Sequence, residues 1–460
     1  VGFGRETGVH KRFIFREYDI RGVYDKDFDV DFAETLARSL VSFIAKKGKK
    51  NPVITVGHDA RLSSPAIMKS VVKGLESSGA QVKTMGLITT PMSYFSMFHL
   101  GADGGVMITG SHNPPDYNGF KISYGKSTLF GEEIQELSRI IDNDDFVSGQ
   151  GSVEAIDIFE PYIARYKKEF SGLKNIPIVL DCGNGAAGIV ARRLFTAIGL
   201  TPTILFEEPD GRFPNHHPDP TIEENLKDLR HEVEKKAAKI GIGFDGDCDR
   251  IGVIDGQGKF LLGDEMMVIW ARDILQKNPG GKIVGDVKCS DRLYDDIKKH
   301  GGEPIMWKTG HSLIKNKIKE EKAPFGGELS GHIFFADRNY GYDDALYAGL
   351  RLIEILAQSG KTVGQLLEGL PSAYNTPEIR LDTTEEKKRQ IVETLTDYFK
   401  KQSGVTLNLI DGVRASYPNG WALVRASNTQ PVVVVRFESQ DKTKLEEMKT
   451  AVLNLVEPLL

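Results

Sequence analysis

Val53-Ile54-Thr55-Val56, then Ser64-Pro65 leading into Ile67, Met68, Val71, Val72 and Leu75, then Gly79 and the run Val82–Met85, decide the fold class. An apolar β-branched run reads as a strand, and apolar residues three and four apart read as one face of a helix. Serine before proline predicts an N-cap followed by the first helical position, and Gly79 predicts the stop. The unit recurs at Ile178-Val179-Leu180, Cys182-Gly183-Asn184-Gly185, a helix over Val190–Ile198, Gly199 and Pro202–Phe206. It returns at Ile283-Val284, Asp286-Val287-Lys288, a helix over Leu293–Lys299, Gly301-Gly302 and Pro304–Trp307. Strands alternating with amphipathic helices predict βαβ units in sheets covered on both faces.

After about residue 371 the rhythm changes. Pro377–Leu381 reads as a strand, Ile391, Val392, Leu395, Tyr398 and Phe399 line a helix, and strand-like runs follow at Thr406–Ile410, Trp421–Val424 and Val432–Phe437. A last helix carries Leu445, Met448, Val452 and Leu455. The expected class is α/β: three similar mixed α/β domains, at 1–155, 156–258 and 259–371, plus a C-terminal α+β domain at 372–460.

Composition narrows the function. With 40% hydrophobic and 27% charged residues and a formal net charge of −5, the chain reads as an ordinary globular protein with no general attraction for nucleic acid. Cys182, Cys248 and Cys289 lie far apart, which argues against a disulfide framework or thiolate zinc site and for a reducing, cytoplasmic compartment. Nowhere do eighteen apolar residues run together, so no membrane partner is expected.

Four loops carry reactive groups. In Thr109-Gly110-Ser111-His112-Asn113-Pro114-Pro115, glycine and proline fix a sharp turn around an exposed serine, with polar neighbours suited to oxyanions. By itself this is also an Asn-Pro turn. In Asp245-Gly246-Asp247-Cys248-Asp249-Arg250, carboxylates at alternate positions between two apolar runs repel unless a cation lies between them. Oxygen-only ligands point to a hard ion such as Mg²⁺, while Arg250 and Gly256 stand where an EF-hand needs glycine and glutamate. Gly327-Glu328-Leu329-Ser330-Gly331-His332 offers a carboxylate and hydroxyl for sugar hydroxyls and a histidine able to carry a proton. Arg425-Ala426-Ser427-Asn428-Thr429-Gln430-Pro431 joins an arginine fork to hydroxyls at a turn, a phosphate cradle or a polar hairpin turn.

Thr109–Lys121, Asp245–Arg250, Gly327–His332 and Arg425–Thr429 resemble, in order, the four signature loops of the α-D-phosphohexomutase family. Tyr18-Asp19-Ile20-Arg21-Gly22, Phe213–Pro220 and Trp307–Lys315 extend the resemblance along the whole chain. It implies three α/β domains and a TBP-like domain around a central cleft, with reversible phosphate transfer between O1 and O6 of α-D-mannose or glucose phosphates. A phosphoserine enzyme and a hexose 1,6-bisphosphate would carry the reaction. The resemblance places the phosphoryl group on Ser111, and one Mg²⁺ per chain at Ser111, Asp245, Asp247 and Asp249. It makes Glu328 and Ser330 sugar readers and Arg425, Ser427, Asn428 and Thr429 the phosphate loop. Tyr18, Arg21, Lys121, Arg250, Lys288, His311 and His332 would line the cleft, with Lys121, Arg21 and His332 as candidates for proton handling. Hexose phosphates are the expected partners, with the chain a monomer or weak dimer.

Cys248 replaces the family's usual glycine, and would be strained if that position needs positive φ. Leu329 replaces methionine, a swap of similar volume, and being apolar where an amino-sugar mutase usually carries a polar residue, it argues against that enzyme. His58 and Ala60 replace the family's usual arginine and glycine, so no role is expected of them. The adjacent His216 and His217 are poor co-ligands and read as structural. A serine hydrolase is disfavoured because Gly-x-Ser-x-Gly is absent and His112 adjoins Ser111; a non-catalytic sugar-phosphate sensor is disfavoured by the complete set of reactive groups.

Overall fold

The computed structural model describes residues 11–427 and 431–460. It contains four sheets, and the first three share a plan. In the first, Val53–His58 lies between Gln81–Leu87 and Gly104–Ile108, all parallel, and Gly104–Ile108 then pairs antiparallel with Tyr117–Tyr124. In the second, Ile178–Asp181 lies between parallel Thr203–Leu205 and Ile240–Phe244, and Ile240–Phe244 turns back antiparallel into Ile251–Asp255. Phe260–Leu261 extends this sheet. The third places Lys282–Asp286 between parallel Glu303–Trp307 and Phe325–Gly327, which pairs antiparallel with Ile333–Phe335.

This plan places the chemistry. In each of the three sheets the turn from the last parallel strand into its antiparallel partner is the loop quoted above: Ser111 between the first pair, the aspartates between the second, and Glu328 to His332 between the third. Parallel strands need long crossovers, whereas an antiparallel pair needs only a short loop, so the reactive residues sit on short turns held at both ends. The fourth sheet is antiparallel, and its pair Gly420–Ala426 and Val432–Ser439 begins and ends around the Arg425 loop. Helices Glu385–Lys400 and Lys442–Val456 bury Ile391, Leu395, Phe399, Leu445 and Val452 against it.

Three local expectations change. Ser64 is the first residue of helix Ser64–Ser77 rather than its cap, a place taken by Ser63, and its hydroxyl donates to Asp59 Oδ1 at 2.7 Å. The second unit's helix is Ala191–Ile198, preceded by a 3₁₀ turn at Ala186–Ile189. Val413–Tyr417 is an additional strand, hidden in the sequence by Arg414, which is fully buried where the fourth sheet meets the third.

Candidate active site

Ser111 is buried, not exposed as its turn suggests, and adopts φ +49°, a conformation uncommon outside glycine and one that concentrates at functional sites. Its Oγ donates to Asp245 Oδ2 at 2.9 Å. The fixing groups come from elsewhere in the chain. Arg61, fully buried and paired with Asp59 at 3.1 Å, donates to the carbonyls of Ser111 (2.8 Å), Asn113 (2.6 Å) and Tyr117 (2.9 Å). Thr109 Oγ1 donates to Asp59 Oδ2 at 2.9 Å and accepts from Ser111 N at 2.8 Å. Sequence patterning gave no hint that Asp59 and Arg61 shape this loop, because their partners lie about fifty residues away.

Asp245, Asp247 and Asp249 are fully buried and offer ligand oxygens within 4.8 Å of one another. Asp247 Oδ1 and Asp249 Oδ1 have no hydrogen-bond partner among the described residues. Burial, then the charges of Asp247 and Asp249, push the Asp245 carboxyl well above its ordinary range. Asp247 is held low: burial opposes its charge, but Lys121 and Thr90 outweigh it. Lys121 Nζ donates to Asp247 Oδ2 at 3.0 Å and to Asp249 Oδ2, partly neutralising the cluster. Orphaned carboxylate oxygens converging beside a serine oxygen fit a hard divalent cation. The loop is locked by contact: a Cβ at Gly246 would lie 2.5 Å from the Ser111 carbonyl oxygen, so only glycine fits against the serine turn. Cys248 adopts φ +67° with its side chain buried, so this position does need positive φ and cysteine bears the strain.

His112 departs from expectation. The left-handed turn at Ser111 swings its ring round, bringing Nδ1 to 3.2 Å from Ser111 Oγ. Burial, then Arg250 and Arg21, push the His112 pKa well below its ordinary value, so the ring stays neutral.

One cavity of about 1130 Å³ is lined by Ser111, Lys121, Arg21, Tyr18, Arg250, Lys288, His311, Glu328, Ser330, His332, Arg425 and Ser427. The three aspartates lie beneath its wall, while Asn428 and Thr429 lie outside the described residues. Arg21 reaches Asp19 at 2.5 Å and Asn113 Oδ1 at 2.6 Å. Tyr18 packs edge-on to His311, with ring centroids 5.4 Å apart. Glu328 accepts from Gly310 N at 2.6 Å, and Lys288 pairs with Glu378 at 2.7 Å. Ser427 gives its carbonyl to Lys388 at 2.7 Å.

His332 bridges two charged groups: Nδ1 lies 2.9 Å from Asp343, and Nε2 accepts from Arg250 at 2.9 Å. Asp343 also takes Lys315 at 3.1 Å and lies 4.0 Å from His311. This fully buried carboxylate gathers His332, His311 and Lys315 from two stretches apart in sequence; Tyr342-Asp343-Asp344 gave no signal beyond its acidity. His216 bonds Asp181 at 3.1 Å, while His217 reaches the cavity wall. Among the described residues no helix is long and apolar enough to cross a membrane.

The chain matches the family descriptions "Phosphoglucomutase/phosphomannomutase, alpha/beta/alpha domain I" over residues 12–148, domain II over 160–258, domain III over 262–374 and the C-terminal domain over 378–455. A phosphomannomutase/phosphoglucomutase of Pseudomonas aeruginosa is 45% identical over 96% of this chain and 95% of its own length. A phosphoglucomutase of Neisseria gonorrhoeae is 43% identical over 97% of each. A phosphoglucomutase/phosphomannomutase family protein of Burkholderia thailandensis superimposes with a TM-score of 0.90 at 40% identity, covering 98% of this chain and 99% of its own. With all four domains matched in order, this chain belongs to the phosphoglucomutase/phosphomannomutase family of phosphohexomutases.

Proposed function

We propose that the protein moves phosphate reversibly between O1 and O6 of α-D-glucose and α-D-mannose phosphates, with Ser111 as the carrier. The observation that carries this reading is the Ser111 hydroxyl, 2.9 Å from Asp245 on the wall of a cavity that also holds Glu328 and Arg425. Asp245, Asp247, Asp249 and the Ser111 oxygen would hold one Mg²⁺, which when bound offsets the negative charge on a transferring phosphoryl group. Residues 1–155, 156–258, 259–371 and 372–460 form the four domains that supply the serine, metal, sugar and phosphate loops.

Phosphoserine 111 gives its phosphoryl group to the free sugar hydroxyl. The P–Oγ bond breaks, the bond to the sugar oxygen forms, and the hydroxyl proton passes to a group in the cleft. Lys121, Arg21 and His332 are the candidates; of these, Lys121 holds its proton firmly, since Asp247 and Asp249 outweigh its burial and raise its pKa. Lys121 therefore suits charge stabilisation better than proton abstraction. The hexose 1,6-bisphosphate then turns within the cavity, and Ser111 takes back the other phosphate. Arg425 and its loop grip the phosphate away from Ser111 in both orientations. Glu328 and Ser330 read hydroxyls at C3 and C4, which is indifferent to the C2 configuration and admits both sugars. The cleft walls exclude water that would hydrolyse phosphoserine.

Turnover of glucose 1-phosphate, mannose 1-phosphate and glucosamine 6-phosphate tests the reading. Glucose and mannose phosphates should isomerise at comparable rates, without release of inorganic phosphate. Preference for the amino sugar, or phosphate release at the isomerisation rate, would overturn it.

A further inference from the structure

Arg425, next to last in strand Gly420–Ala426, has its guanidinium already paired: Asp411 accepts from Nε at 3.0 Å and from Nη2 at 3.3 Å. Asp411 sits in the turn before strand Val413–Tyr417, and its Oδ2 also accepts from Thr309 N at 3.0 Å. Thr309 belongs to the third sheet's segment, just before helix His311–Glu321. One carboxylate thus fastens the arginine and joins the fourth sheet to the third. The next amide, Gly310 N, donates to Glu328, so consecutive amides are held by the arginine's partner and by the candidate sugar reader.

The turn is built for this contact. Gly412 has φ +78°, and a Cβ there would lie 2.4 Å from the Val424 carbonyl and 2.7 Å from Arg425 Cα. Any side chain at 412 would push Asp411 off the arginine. Arg425 and Thr309 line the cavity, whereas Asp411 is not among its lining residues and stands behind them. A pair made through Nε and Nη2 leaves the Nη1 N–H groups outside it, so a phosphate and Asp411 can hold the guanidinium together.

We propose that Asp411 is a positioning residue for substrate binding. It fixes the edge that Arg425 presents to the distal phosphate and, through Thr309 and Gly310, the separation between that arginine and Glu328. The inference rests on the reading of Arg425 as the phosphate grip. Holding a long side chain before the substrate arrives removes the ordering cost from the binding step, so the gain belongs in KM.

The test is steady-state kinetics on glucose 1-phosphate with Mg²⁺ and glucose 1,6-bisphosphate, for Asp411→Ala, Asp411→Asn, Arg425→Ala and the double variant Asp411→Ala/Arg425→Ala. Asp411→Ala should raise KM about tenfold with kcat changed by less than about threefold, and add almost nothing once Arg425 is alanine. Asp411→Asn, keeping an acceptor for Thr309 N but losing the charge, should fall between, and serves if the alanine variant folds poorly. Asp411 variants with unchanged or lowered KM, or an undiminished effect without Arg425, would overturn the inference alone. An unchanged KM in Arg425→Ala would instead overturn the phosphate-grip reading beneath it.

Discussion

At the Ser111 end of the cleft, three buried aspartates face Lys121, and two of their oxygens lack partners among the described residues. At the Arg425 end, charges are already matched: Arg425 with Asp411 inside the fourth domain, and Lys288 with Glu378 across to the third. Domain contact differs in the same way. The first domain grips the aspartate loop through Thr90, at the start of helix Thr90–Leu100, which bonds the Asp247 carbonyl at 2.9 Å and its carboxylate at 2.6 Å. The fourth sheet instead rests on the third through a small apolar cluster of Val287, Trp421 and Leu423 and through arginine-to-carbonyl bonds. Arg414 stacks 3.8 Å from the Trp421 ring centroid and donates to the carbonyls of Val287 and Cys289, and Arg436 donates to that of Lys288. The first end offers oxygens to a cation, whereas the second pairs Arg425 and Lys288 with protein carboxylates. Crowded like charges cost stability unless something binds, whereas opposite charges held at hydrogen-bond distance stabilise the fold as they stand.

The contrast can be broken from the serine end first. Ser111→Ala should lower turnover by at least roughly 10³-fold while leaving hexose phosphate binding intact, checked by kinetics and calorimetry. Asp245→Asn should lower turnover by at least about 100-fold, yet raise the melting temperature of the chelator-treated protein by relieving repulsion. Adding Mg²⁺ should raise the wild-type melting temperature and leave the variant's nearly unmoved, as expected for a ligand bound only by the folded wild-type site.

At the other end, Arg414→Met should leave phosphorylation of Ser111 intact and loosen residues 374–460. Two buried carbonyls would lose their donor, at about 1–3 kcal/mol each. Hydrogen exchange should rise in the fourth sheet and stay level at the aspartate loop. The smallest effect concerns pH. Burial opposes ionisation of Glu378, but Lys288, Arg425 and Arg436 outweigh it and hold its carboxyl at about 2, below the ordinary 4.5. A lowered folded-state pKa stabilises above the ordinary value, and that contribution fades as pH falls from about 4.5 toward about 2. Glu378→Gln should therefore flatten the acid limb of the stability profile within that window, read by denaturant titration at each pH.

The same division governs what the sequence made legible. The three α/β repeats and all four loops stand out because each is a local run of apolar or reactive residues. What holds those loops does not. Arg61 reaches the serine turn, Asp343 the histidines and Asp411 the arginine only through topology, and none is marked by its neighbours in sequence. Strand Val413–Tyr417 escaped because Arg414 is buried as an inter-sheet donor, reversing the usual meaning of a charged residue in an apolar run. The reach of His112 to Ser111 follows from a backbone twist that no residue pattern announces.

The most direct test is to load the protein with isotope-labelled glucose 1,6-bisphosphate, digest it and locate the label by mass spectrometry. One labelled phosphate is expected, on Ser111, discharged to product by added glucose 1-phosphate and lost in Ser111→Ala. Label on another residue, or turnover with no covalently held phosphate at any time, would contradict it.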